Sequence, residues 1–165
     1  MRFIRAAVLS ELCIIRDLAY ATWPSAYGAI LSEHQLDYML DKIYSLSSLQ
    51  KQVAEQHHNF VLLIDDLTPI GFASFSEEEN NPSAYHLHKI YVLPGQQGSG
   101  SGRMLLDYVV TISKQNNAAF LTLNVNRRNK AISFYEKYGF VIKSEANIDI
   151  GNGYFMNDYI MELSL

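Results

Sequence analysis

Residues 94–106 read PGQQGSGSGRMLL, with four glycines, two glutamines and two serines running straight into a hydrophobic helix start. So few side chains leave main-chain amides bare just before a helix. The first N–H groups of a helix have no intrahelical partner, and the macrodipole adds partial positive charge there. Gly98, Gly100 and Gly102 allow close approach, and glycine's access to positive φ lets successive amides converge. The stretch therefore reads as a seat for a compact anion such as phosphate. A flexible Gly/Ser connector would not need the strong strand and strong helix that flank it.

Three phosphate templates compete for it. Gly95 and Gly100 have the spacing of the P-loop, but Ser101 stands where that motif carries its lysine, so phosphoryl transfer loses its main point charge. The dinucleotide pattern G-x-G-x-x-G fails as well, because Gly98 and Gly100 are followed by Arg103 at the third position. The pattern Q/R-x-x-G-x-G/A remains, and Gln97-Gly98-Ser99-Gly100-Ser101-Gly102 fits it.

Working outward, 84–94 (AYHLHKIYVLP) predicts the strand that feeds the loop, and 103–116 the helix that leaves it. Upstream, 2–8 suits a short strand. Ser10 is placed to cap a helix over 11–23, which Pro24 would end. Ser32 and Gln35 form a capping box for a second helix over 32–45, and a third piece lies within 48–58. Strands follow at 60–65 and 70–76, with the polar run 77–83 read as a turn. Beyond the glycine helix come a strand at 119–126, a helix at 129–139, and strands at 140–148 and 154–165. The order βααα-βββ-α-β-α-ββ predicts an α+β, mixed α/β fold with helices on both faces of one sheet.

The bulk composition is compatible with this. The 165 residues are 48% hydrophobic and 18% charged, enough for a real core in one domain spanning 1–165. The net charge of −4 argues against nucleic acid as the main partner and tolerates a cationic substrate. The single cysteine, Cys13, excludes an internal disulfide and a cysteine metal cluster, and reads as a buried thiol. Arg5, Glu11, Arg16 and Asp17 interrupt the apolar start, and no run approaches a membrane span of roughly 20 residues. No membrane partner is expected, and the cytoplasm is the default compartment.

The segment LHKIYVLPGQQGSGSGRMLL resembles the acyl-CoA-binding segment of the GNAT superfamily of N-acetyltransferases. NRRNKAISFYEKYGF resembles that family's second conserved segment, N-x-x-A-x-x-F-Y-x-x-x-G-F in loose form, with Asn126 or Asn129 at its head and Phe134, Tyr135, Gly139 and Phe140 at its tail. Gly95 replaces the acidic residue that often follows the proline. The resemblance implies a GNAT-like central sheet, mixed and mostly antiparallel, with a splayed strand pair. It implies that acetyl-CoA is the co-substrate and that its diphosphate lies on the amides of Gln97, Gly98, Ser99, Gly100, Ser101 and Gly102, with the two serine hydroxyls as added donors. It places pantetheine against the main chain of Ile90, Tyr91 and Val92, and under Asn129. Tyr135 holds the family's position for the acid that protonates the departing thiolate; a phenol of pKa about 10 is close enough to a thiol of about 8.5 for that transfer.

The proton acceptor is not assigned. Glu77, Glu78 and Glu79 read as a solvated acidic turn. His86 and His88 share one strand face without a third ligand, so no metal is expected. Residues 22–45 and 149–163 resemble a bacterial branch that includes PaiA-type polyamine acetyltransferases. On that resemblance Trp23, Tyr27, Tyr154 and Asp158 line a pocket for a small cationic amine. Other members use peptide, protein or amino-acid amines, and an acyl-CoA sensor without turnover is a further alternative. Many members are dimers, so the resemblance extends to a homodimer, although no residue in the sequence speaks to it.

Overall fold

A computed structural model describes residues 1–165. Seven strands and five α-helices follow in the expected order: β1 (Arg2–Ala6), α1 (Leu12–Tyr27), α2 (Glu33–Tyr44), α3 (Leu46–Ala54), β2 (Asn59–Asp65), β3 (Thr68–Glu78), β4 (Asn81–Val92), α4 (Ser101–Gln115), β5 (Phe120–Asn126), α5 (Ala131–Tyr138), β6 (Val141–Gly151) and β7 (Tyr154–Ser164). The strands form a mixed sheet in the order β1-β2-β3-β4-β5-β7-β6. The β1–β2, β2–β3, β5–β7 and β6–β7 pairs are antiparallel, and β4–β5 is parallel. The parallel ladder joins Ala84–Leu87 to Phe120–Leu123, while β4 itself runs on to Val92.

The chain divides into two compact units, Met1–Ser76 with His88–Val109, and Glu77–Leu87 with Val110–Leu165. In the first, β2 is buried from Phe60 to Ile64, which explains its unbroken apolar run. Ile15, Leu18, Ala19 and Trp23 of α1 are buried with Tyr44 of α2 and Leu49 of α3. Each large apolar side chain taken fully out of water contributes roughly 1.5–3 kcal/mol. Gly71 on β3 lies tight beneath β4: a Cβ there would meet the Tyr91 carbonyl oxygen at 2.8 Å. In the second unit, Leu121, Leu123 and Val125 of β5 alternate with Thr122, Asn124 and Asn126. Met161 of β7 lies opposite Leu123.

Several boundaries differ from the sequence reading. Helix α1 passes through Pro24 to Tyr27, and the Gly28 amide bonds the Pro24 carbonyl at 2.9 Å. Burial of Trp23 and Tyr27 on one helix face carries the chain past the proline. Ser10 does not cap α1; it lies in a 3₁₀ turn, where the Glu11 carboxylate accepts from the Val8 amide instead. Cys13 is half-buried rather than buried, and its thiol faces the Ser10 carbonyl. The acidic run is not a long turn: Glu77 and Glu78 extend β3, Asn81 to Ser83 open β4, and the turn itself is Glu79–Asn80.

Lys89 of β4 is buried without a carboxylate among its recorded contacts. Its ammonium donates to Gln52 Oε1 at 2.7 Å and lies 5.5 Å from the Phe60 ring centre and 5.9 Å from that of Tyr44. Gln52 Nε2 in turn donates to the Ile43 carbonyl at 2.7 Å. Burial lowers the Lys89 pKa from its ordinary 10.5 to about 7. Below about pH 7 the ammonium is charged in both folded and unfolded chains, and its desolvation is carried in full. Between about 7 and 10.5 the unfolded chain binds more protons, so stability rises with pH, by at most about 1.4 kcal/mol per unit. Lys89→Met is expected to flatten that rise. Denaturant midpoints of both proteins from pH 6 to 10 provide the check, and parallel curves would contradict it.

Candidate active site

The glycine stretch has the geometry that its composition implies. Pro94–Gln96 form a 3₁₀ turn, Gly98 and Gly100 take φ of 77° and 82°, and α4 starts at Ser101. The first helical bond runs from the Met104 amide to the Gly100 carbonyl at 2.9 Å. The amides of Ser101, Gly102 and Arg103 precede it and belong to the helix's unsatisfied first turn. A Cβ at Gly98 or Gly100 would touch nothing within 4 Å, so glycine is required there for backbone conformation rather than for space.

The polar side chains of the loop are bonded within the protein. Gln97 Nε2 donates to the Val92 carbonyl at 3.1 Å, pinning the loop to the end of β4. Ser99 Oγ donates to the Gln96 carbonyl at 2.9 Å, and the Ser101 hydroxyl lies 3.1 Å from it. The serines expected as ligand donors are thus engaged within the loop. Ile90 and Tyr91 of β4 are half-buried and Val92 is buried. Tyr91 Oη lies 2.9 Å from Tyr27 Oη. Trp23 stacks obliquely on Tyr27, with centroids 4.5 Å apart, and donates from Nε1 to Tyr44 Oη at 3.3 Å. Trp23 is 3% exposed and Tyr27 7%. Both therefore stand in an aromatic core cluster rather than on an open wall.

In the second unit, Tyr135 occupies α5 and is buried, with its ring 5.3 Å from Phe134 and 5.7 Å from Phe140. Asn129 Oδ1 accepts from the Ala131 amide at 2.8 Å, so the side chain opens α5 and its Nδ2 carries the hydrogens it can offer. Tyr154 begins β7, half-buried and opposite Gly151. Asp158 lies mid-strand, between Asn126 of β5 and Ala146 of β6. It is 6% exposed, and its Oδ1 is buried with no hydrogen-bond partner. Burial pushes its pKa up, against an Asn124 hydrogen bond and the Arg127 charge, which pull it down.

Sequence reasoning missed two polar clusters. In the first, the Glu78 carboxylate accepts from the Thr122 hydroxyl, and His86 Nδ1 lies 2.7 Å from the same oxygen. With the threonine hydrogen given to Glu78, the His86 hydrogen sits on Nδ1 and donates to Thr122. An acidic run read as a turn conceals this, because only the extension of β3 brings Glu78 to β5. The second is Arg2, whose guanidinium reaches the glycine stretch from β1. No motif marks it. No group of three or more His, Cys, Asp or Glu residues comes together as a metal site.

Comparison with known proteins supplies the class. The profile of the acetyltransferase (GNAT) domain matches residues 29–162. The chain belongs to that family and is an acyl-CoA-dependent N-acetyltransferase. It is similar to the PaiA N-acetyltransferase of Thermoplasma acidophilum, solved in complex with coenzyme A, with a TM-score of 0.85 at 24% identity over 100% of this chain and 99% of that one. It is 26% identical to the spermidine N(1)-acetyltransferase of the same organism, over 88% of this chain and 92% of that protein. The peptidyl-lysine N-acetyltransferase YjaB of Salmonella typhimurium is 31% identical over 91 residues, about half of each chain.

The glycine geometry generates a direct test. Gly98→Ala and Gly100→Ala force a Cβ residue into the left-handed region, at a cost of roughly 1–2 kcal/mol each. Each should lower the unfolding temperature by a few degrees and weaken coenzyme A binding. Gly95→Ala is the matched control, since its Cβ has open space and its φ is not positive. Equal behaviour of all three variants in calorimetry would contradict the argument.

Proposed function

We propose that the protein transfers the acetyl group of acetyl-CoA to a primary amine of a small cationic molecule, a polyamine being the foremost candidate. The observation that carries this is the pair of left-handed glycines opening α4, which presents convergent amides suited to a diphosphate. In this reading Gln97 to Gly102 hold the diphosphate through main-chain N–H groups. Ile90, Tyr91 and Val92 pair with the peptide-like pantetheine arm, and Asn129 donates to it from Nδ2. A main-chain N–H of that strand polarises the thioester carbonyl. The amine nitrogen bonds to the carbonyl carbon as the carbon–sulfur bond breaks. Tyr135 gives its phenolic proton to the sulfur. Of the two protons the ammonium sheds, one goes to solvent before the attack; the other, displaced as the amide forms, returns through solvent to the Tyr135 phenolate.

Asp158 and Tyr154 are assigned to the amine. A buried carboxylate with an unpaired oxygen attracts an ammonium more strongly than an exposed one, because the local dielectric is low. The likeness to a spermidine acetyltransferase supports a polyamine, and the likeness to YjaB keeps a peptide lysine as the competing acceptor. One catalytic domain over 1–165, a homodimer and a cytoplasmic setting belong to the same proposal.

Thermal shifts with acetyl-CoA, ATP and NAD test the cofactor. Stabilisation by acetyl-CoA is expected, and stabilisation by ATP or NAD alone would end the reading. Thiol release with spermidine, spermine and a lysine peptide then ranks acceptors. Tyr135→Phe should lower kcat about 100-fold with little change in the KM for acetyl-CoA. Unchanged turnover would dismiss its role as acid.

A further inference from the structure

Arg2 lies at the start of β1, and its fork reaches the proposed diphosphate loop more than ninety positions along the chain. Nη1 donates to Ser99 Oγ at 2.6 Å and to Ser101 Oγ at 2.9 Å. Nη2 donates to Gln96 Oε1 at 3.1 Å, and Nε donates to Asp65 Oδ2 at 2.9 Å. Arg2 and Asp65 are direct partners in the β1–β2 ladder, so the base of the fork is fixed by the sheet. Three loop residues are thereby tied to a rigid strand pair. We propose that Arg2 is a positioning residue for cofactor binding: its guanidinium clamps Gln96, Ser99 and Ser101 so that the Gly98–Gly102 amides are arranged for a diphosphate before the ligand arrives. The inference rests on the loop being the coenzyme A site.

Two physical considerations favour a clamp over a simple positive charge. The guanidinium is matched at 2.9 Å by the Asp65 carboxylate, and both side chains are a little over a quarter exposed. The field reaching the ligand is therefore that of a screened dipole rather than of a free cation. By contrast, a segment carrying glycines at 98, 100 and 102 loses more freedom on ordering than any other kind of chain. An anchor that orders it in advance removes that cost from binding. The fork also engages both serine hydroxyls: Ser99 spends its hydrogen on the Gln96 carbonyl, and both oxygens accept from Arg2.

Calorimetric titration of coenzyme A into full-length variants, each checked for a wild-type thermal transition, tests the clamp. Arg2→Gln is expected to weaken binding about 10- to 30-fold, the scale of a lost charge-assisted bond. It should raise the KM for acetyl-CoA while leaving kcat at saturation nearly unchanged. Arg2→Lys should fare as badly, since one ammonium cannot serve three acceptors and Asp65 together. Acetyl-pantetheine lacks the diphosphate, so its kcat/KM should be the same in wild type and Arg2→Gln. A Ser99→Ala/Ser101→Ala double variant leaves the Arg2–Asp65 pair intact, and it keeps the test open should Arg2→Gln fold poorly. Its loss should resemble that of Arg2→Gln, and the combined variant should lose little more. Wild-type affinity in Arg2→Gln, rescue by lysine, or fully additive losses would each overturn the clamp. Failure of the wild-type protein to bind coenzyme A would instead remove the reading of the loop itself.

Discussion

The structure depends on one conformational constraint: the chain must place two near-successive residues, Gly98 and Gly100, in the left-handed region immediately before α4. Residues with a Cβ resist that conformation, and glycine accepts it at the expense of disorder in the absence of other restraints. The rest of the first unit supplies those restraints. Gln97 fastens one end of the loop to β4, the first bonds of α4 fasten the other, and the Arg2 fork holds the middle. A segment whose composition favours mobility is thus given a defined shape by polar contacts from elements distant in sequence.

The interior holds two ionisable groups whose burial outweighs the partners they have. Lys89 has an amide oxygen and two aromatic faces. Asp158 has an amide hydrogen bond and an unpartnered oxygen. Both are displaced toward their neutral forms, the lysine downward and the carboxyl upward, because desolvation outweighs the help from neighbours. Such groups cost stability. What they retain is responsiveness: a charge entering beside either one meets little competing solvent.

Much of the fold was legible because local and global signals agree. The order of elements follows from apolar periodicity, and the left-handed turn before α4 follows from its glycines. The two family segments were legible as motifs because their backbone turns on glycine, with Gly98, Gly100 and Gly139 at positive φ. What escaped notice lay in long-range placement. Arg2 and Ser99 share no pattern, since their meeting is fixed by the register Arg2↔Asp65. Glu78 was hidden among three acids, because whether it points to solvent or to Thr122 depends on where β3 ends. Pro24 misled for a related reason: burial of Trp23 and Tyr27 outweighs a local helix-stopping preference. Of the aromatic pocket candidates, Trp23 sits at a periodic helix position, and such a position serves a core and a binding wall equally well.

Gly71 gives β4 a mechanical reference. The main chain of β4 at Tyr91 rests so close on β3 that a single methyl group would displace a carbonyl oxygen. The height of Tyr91 above its neighbour is therefore set by an atom that is missing. Under the proposed pairing of pantetheine with β4, a side chain gained at position 71 would shift the Tyr91 main chain, so an inconspicuous inner strand would bear on how a thioester is aligned.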